Sequence, residues 1–135
     1  EDAVAAWIAD PERIVLVGAA ADAPETLLGY AMYETAAAPE APVTERLGDV
    51  PAGHLSKLYV LAEGRGTGLA EALVHDGVER LRRLGFRHVW LGTNAQNTRA
   101  NRFYERLGFA TIGARQFVVG GERVEDDWVR LLTVA

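Results

Sequence analysis

Apolar residues crowd two short segments near the start of the chain, Ile14-Val15-Leu16-Val17 and Leu27-Leu28 with Tyr30, Met32 and Tyr33. These segments, residues 14–19 and 27–34, predict neighbouring covered strands, separated at hairpin length by Ala21-Asp22-Ala23-Pro24. Residues 2–9 predict the tail of a helix that stops before Pro11. Residues 36–53, with Pro39, Pro42 and Pro51 among Glu40, Glu45 and Asp49, predict a long loop, a feature that small domains keep for function or motion. Residues 55–60 predict the next strand. From Gly68 the spacing of Leu69, Leu73, Gly77, Leu81 and Leu84 is helical, with Asp76–Arg80 and Glu79–Arg83 as i,i+4 pairs on the exposed side.

Residues 88–93 then predict a short buried strand. Asn97 is a natural N-cap for a helix whose Ala100, Phe103, Tyr104 and Leu107 recur at i, i+3, i+4 and i+7. Both helices close on the same four residues, Arg83-Leu84-Gly85-Phe86 and Arg106-Leu107-Gly108-Phe109, which reads as repeated cap chemistry and not as a duplicated domain. Residues 111–119 and 124–133 predict two strands joined through Gly120-Gly121.

The chain has 135 residues, room for a single domain spanning 1–135. Without cysteine it can have no disulfide, thiolate metal site or cysteine nucleophile, and a reducing cytoplasm is the natural setting. No apolar run approaches membrane-span length, and the acidic start lacks the basic flank of a signal peptide, so neither a membrane nor export is expected. The net charge of −5 argues against nucleic acid as a partner. The charge is also uneven. Residues 1–50 carry ten carboxylates against Arg13 and Arg46, whereas residues 65–106 hold eight arginines against four carboxylates. One region suits a cation and another an anion, although single surface charges often do no more than meet solvent.

The strongest chemical signal follows Leu58-Tyr59-Val60, where a strand runs into Arg65-Gly66-Thr67-Gly68-Leu69-Ala70 and then a helix. A glycine-rich turn before a helix presents unpaired N–H groups at the positive end of the helix dipole, which makes an anion site. Small residues at 66, 68 and 70 admit a pyrophosphate, and Arg65 and the Thr67 hydroxyl can add contacts. The spacing fits neither the P-loop nor the dinucleotide fingerprint. Such a turn can also be purely structural.

Arg65-Gly66-Thr67-Gly68-Leu69-Ala70 resembles the Arg/Gln-x-x-Gly-x-Gly/Ala signature of the GNAT superfamily of N-acetyltransferases. The segment from Asn97 through Ala100, Phe103 and Tyr104 to Gly108-Phe109 resembles the same family's Asn-x-x-Ala-x-x-Phe-Tyr-x-x-x-Gly-Phe. The likeness covers residues 14–133. It implies an α/β fold with a mixed, mostly antiparallel sheet, helices on both faces and splayed central strands. The family opens with a strand and two helices, whereas this chain begins inside the second helix, so the first strand and helix are expected to be missing.

By this resemblance the co-substrate is acetyl-coenzyme A. Leu58, Tyr59 and Val60 would pair with its pantetheine arm like an added strand, and Arg65, Gly66, Thr67, Gly68, Leu69 and Ala70 would hold its pyrophosphate. Asn97 would cap its helix and touch the arm, with Ala100 and Phe103 lining the channel, unless the last two are simply helix core. Tyr104 stands at the family's general-acid position, where it would protonate the departing thiolate, or else packs as core. An amine of pKa near 10.4 costs roughly 4.6 kcal/mol to deprotonate at pH 7, so a base is useful. Glu34 and His54 are the candidates.

Rival chemistries are weaker. Ser56, the only serine, lacks a Gly-x-Ser-x-Gly elbow, and His54, His75 and His88 have no metal-ligand spacing, so no metal is expected. A catalytically silent acyl-coenzyme A-binding module stays open, as does a homodimer. Phe117 to Leu132, with Gly120 and Asp126-Asp127, resembles the ending of bacterial spermidine/spermine N-acetyltransferase-like members. With the acidic first third, this points to a small cationic primary amine such as a polyamine. A peptide or protein amino terminus, or another small-molecule amine, is the alternative.

Overall fold

A computed structural model describes residues 11–20, 22–119 and 123–134. Six strands and three helices alternate along them: β1 (Arg13–Ala20), β2 (Ala23–Glu34), α1 (Ala41–Leu47), β3 (Gly53–Val60), α2 (Leu69–Arg83), β4 (His88–Asn94), α3 (Thr98–Arg106), β5 (Ala110–Val119) and β6 (Arg123–Thr133). The helix read at residues 2–9 and the Gly120-Gly121 turn lie outside the described residues.

The elements group into two units, residues 1–37 with 53–86, and residues 38–52 with 87–135. In the first unit β1, β2 and β3 form an antiparallel meander. β2 starts earlier than its hydrophobic run, because Ala23 already pairs with Ala20, and the exposed Pro24-Glu25-Thr26 bulge out before Leu27 pairs with Ala19. The α2 helix packs on this sheet through Leu73, Val74, Gly77 and Leu81, all buried. Leu84, one of the residues at helical apolar spacing, is instead 63% exposed, since the helix ends there and Gly85 turns the chain away with φ 102°. On the outer face Glu79 accepts from both Arg82 and Arg83, and the Arg82 bond holds its carboxyl down at about 2.

In the second unit β4 and β5 flank β6, again antiparallel. The loop read at 36–53 is not wholly a loop. Residues 41–47 form α1, with Pro42 in its first turn, where a missing N–H costs nothing. Its Val43 is buried with Trp90, Val129 and Leu131, and Leu47 joins them from the next turn. Two apolar residues among many polar ones are too weak a pattern to show a helix in the sequence; burial against the sheet makes it. Arg130, between Val129 and Leu131, points to the opposite face of β6 and bonds Asn101 of α3. Thus α1 and α3 cover the two faces of this sheet.

Candidate active site

The turn between β3 and α2 is open and rich in glycine. Leu58, Tyr59 and Val60 pair with Ala31, Tyr30 and Gly29, and Leu61 N donates to Leu28 O at 2.7 Å before a short 3-10 turn at Ala62–Gly64. Gly66 and Gly68 then take φ 78° and 84°, the left-handed region where a Cβ is strained, and nothing lies within 4 Å of where a Cβ would stand. The first bond of α2 runs from Ala72 N to Gly68 O at 3.0 Å, and no side chain caps the helix. The N–H groups of its first turn therefore have no carbonyl within the helix. The Thr67 hydroxyl donates to Gly64 O, so its proton is committed and the expected phosphate contact from it shrinks to an acceptor. Arg65 is exposed, while Leu69 and Ala70 are half-buried.

Glu34 and His54, chosen separately in the sequence, stand opposite each other on β2 and β3. Glu34 Oε1 lies 2.9 Å from His54 Nδ1, and Glu34 Oε2 lies 3.4 Å from Arg13, its partner on β1. With Nδ1–H donating to the carboxylate, the imidazole's basic nitrogen is Nε2. Glu34 thus orients a histidine while Arg13 balances its charge. Arg13 and Glu34 also line a shallow recess with Glu12, Ala36 and Ala37. Nothing in the linear sequence singles out Arg13; only the strand register brings it to Glu34.

Asn97, Ala100, Phe103 and Tyr104 share α3. Asn97 caps as expected, its Oδ1 accepting from Ala100 N at 3.1 Å. Ala100, Phe103 and Tyr104 are half-buried, and no residue of α3 is fully buried. The Tyr104 ring meets Phe103 and Phe109 edge-on at centroid distances of 5.2 and 5.8 Å. Burial pushes its phenol up to about 12, so it remains a proton donor throughout the neutral range.

A further ion cluster escaped the sequence. Arg115 on β5 bonds Glu40, the N-cap residue of α1, at 2.8 Å and Asp127 on β6 at 3.0 Å. Glu40, one of the acidic groups that suggested a cation-attracting surface, is therefore already paired. Among the described residues no cluster of three or more His, Asp or Glu is placed to hold a metal ion, and no helix is long and apolar enough to cross a membrane.

The sequence matches the family model of the acetyltransferase (GNAT) family over residues 1–109. An uncharacterized N-acetyltransferase of Mycobacterium tuberculosis is 37% identical over 125 residues, which cover 93% of this chain and 70% of the relative. Mycothiol acetyltransferase of Parafrankia sp. is 38% identical over 91 residues, 62% of this chain and 28% of that one. A GNAT family acetyltransferase from Elizabethkingia anophelis, solved with acetyl-CoA bound, shares the fold with a TM-score of 0.69 over 99% of this chain and 83% of that one, at 12% identity. With a family model matched across most of its length and a mycobacterial N-acetyltransferase similar along nearly all of it, this chain belongs to the GNAT family of acetyltransferases.

Proposed function

We propose that the protein transfers the acetyl group of acetyl-coenzyme A to a primary amine of a small cationic substrate, with a polyamine as the first candidate. The observation that carries the reading is the turn at Gly66 and Gly68, left-handed, exposed and empty of side chains, leading into an uncapped helix. Its N–H groups suit a pyrophosphate, and Arg65 adds a cation. Leu58, Tyr59 and Val60 would pair with the pantetheine arm, and Asn97, Ala100 and Phe103 would contact it.

His54 Nε2, oriented through Glu34, would accept the proton of the attacking ammonium, directly or through water. The neutral amine nitrogen then bonds to the acetyl carbonyl carbon, the tetrahedral adduct loses a second proton from that nitrogen to solvent, and the carbonyl re-forms as the carbon–sulfur bond breaks. Tyr104 would give its phenolic proton to the departing sulfur and recover one from solvent. With its phenol raised by burial to about 12, Tyr104 is still protonated when the sulfur departs, so the proton is there to give.

The polyamine reading draws on the acidic first third and on the likeness of residues 117–132 to spermidine/spermine-type members. Arg13 neutralises part of Glu34, and Arg115 part of Glu40, so within the acidic stretch 36–53 the attraction falls to Glu45 and Asp49, both exposed. The likeness to mycothiol acetyltransferases favours a second reading, a mycothiol-related amine. A panel of polyamines, mycothiol-related amines, aminoglycosides, amino acids and short peptides, read by release of free coenzyme thiol, tests both. Polyamines should lead. Inert polyamines beside active neutral peptides would overturn the electrostatic reading, and no thiol release with any amine would favour a silent binding module.

A further inference from the structure

Arg130 is 6% exposed, yet its recorded guanidinium bonds go to neutral acceptors. Nε donates to Asn101 Oδ1 at 3.2 Å, and Nη1 donates to the backbone carbonyl of Phe109 at 2.7 Å. Burying a cation against neutral oxygens costs more than an apolar residue of similar size would, so the arrangement calls for a reason beyond filling space.

Its two acceptors stand at the two ends of α3. A carboxamide whose oxygen faces a guanidinium must turn its NH2 the other way. Asn101 Nδ2 accordingly donates to Asn94 O at 3.0 Å and to Asn97 O at 2.9 Å. Asn94 is the last residue of β4 and Asn97 is the helix N-cap, while Asn97 N itself donates to Asn94 O at 3.0 Å. One side of the guanidinium thus closes the turn that launches α3. The other side fixes Phe109, fully buried just past the helix end, whose ring meets Tyr104 edge-on. Since α3 has no fully buried residue of its own, packing alone leaves its rotation and slide soft, and these bonds supply the restraint.

We infer that Arg130 is a positioning residue for Tyr104, bracing both ends of α3 so that the phenol is held at the range where a proton can pass. This rests on the reading of Tyr104 as the proton donor. Proton transfer needs heavy atoms within roughly 2.6–3.2 Å, and a misplacement of about 1 Å costs on the order of 100-fold.

The test uses Arg130→Met, Arg130→Lys and Asn101→Ala, each in the native background and in Tyr104→Phe, with kcat and KM for acetyl-coenzyme A measured by thiol release. Arg130→Met and Asn101→Ala should each lower kcat by about tenfold or more while KM changes less than about threefold, and Arg130→Lys should recover part of the loss. In the Tyr104→Phe background the same changes should cost less than about threefold, because the group they aim is gone. Equal losses in both backgrounds, or a change in KM alone, would overturn the assignment. Asn101→Ala, which leaves the buried cation in place, carries the test if Arg130→Met does not fold. Amide hydrogen exchange gives a readout that needs no turnover: residues 98–107 should exchange faster in Asn101→Ala than in the native protein, and unchanged exchange there would also overturn the inference. If no amine supports turnover while exchange does accelerate, the brace stands and the acetyl-transfer reading fails.

Discussion

The Tyr33 ring fills the space that a side chain at position 77 would need. A Cβ added to Gly77 would overlap the ring's Cζ and its hydroxyl, which donates to Leu73 O at 2.9 Å and to Val74 O at 3.3 Å. A glycine in mid-helix forgoes about 1 kcal/mol of propensity relative to alanine, and here that loss admits a fully buried tyrosine from β2 against the backbone of α2. Gly77→Ala should therefore destabilise the protein by about 1–3 kcal/mol despite its better helix propensity, as the ring is forced off its rotamer. Tyr33→Phe should cost about 1 kcal/mol through the lost hydrogen bonds. Urea unfolding checks both, and a Gly77→Ala protein of native or greater stability would refute the packing account.

Gly68→Glu should abolish binding of acetyl-coenzyme A, because it places a carboxylate where the pyrophosphate is proposed to sit. Gly68→Ala is the comparison: the left-handed φ of 84° makes it cost about 1–2 kcal/mol of stability, and it should weaken binding less than Gly68→Glu because it adds bulk without charge. Calorimetric titration with the cofactor separates the two. Retained binding in Gly68→Glu would place the phosphates elsewhere.

Tyr104→Phe should lower kcat by about 100-fold or more with little change in cofactor affinity, since the proton is needed only as the thiolate leaves. The phenol carries a second signature. Its folded value of about 12 lies above the ordinary value near 10, so the folded state holds the proton more tightly than the unfolded chain does. That contribution to stability is complete below pH 10 and is lost as pH rises from 10 to 12. Phenol absorbance followed with pH should show a late-ionising phenol that is lost in Tyr104→Phe, and a native rate in that variant would reduce Tyr104 to packing.

Because Glu34 and His54 are hydrogen-bonded, their substitutions should not add. His54→Ala should remove the acidic limb of the rate profile. Glu34→Gln should lower kcat, since the imidazole exchanges the carboxylate that orients its Nδ1 for a weaker amide acceptor. The double variant should be no slower than His54→Ala within about threefold. Fully multiplicative losses would show two independent roles instead of one oriented base.

What the sequence determined by itself was local. Hydrophobic period and cap chemistry act over a few residues, so the strands, α2 and α3, the Asn97 cap and the glycine turns at 66–68, 85 and 108 could be read directly, as could the two motifs that resemble the family. What needed neighbours distant in the chain was decided only by the tertiary structure. Residues 41–47 become a helix because Val43 meets Trp90, Val129 and Leu131, and their own apolar pattern is too sparse to require it. Glu34 and His54 become one unit, with Arg13 behind them, through strand register, which a one-residue slip would have reversed. Arg115 cancels part of an acidic surface that looked unopposed when charges were counted along the chain. Composition counts charges without regard to where they meet, whereas pairing depends on distance, and distance between residues 40, 115 and 127 exists only once the chain has folded.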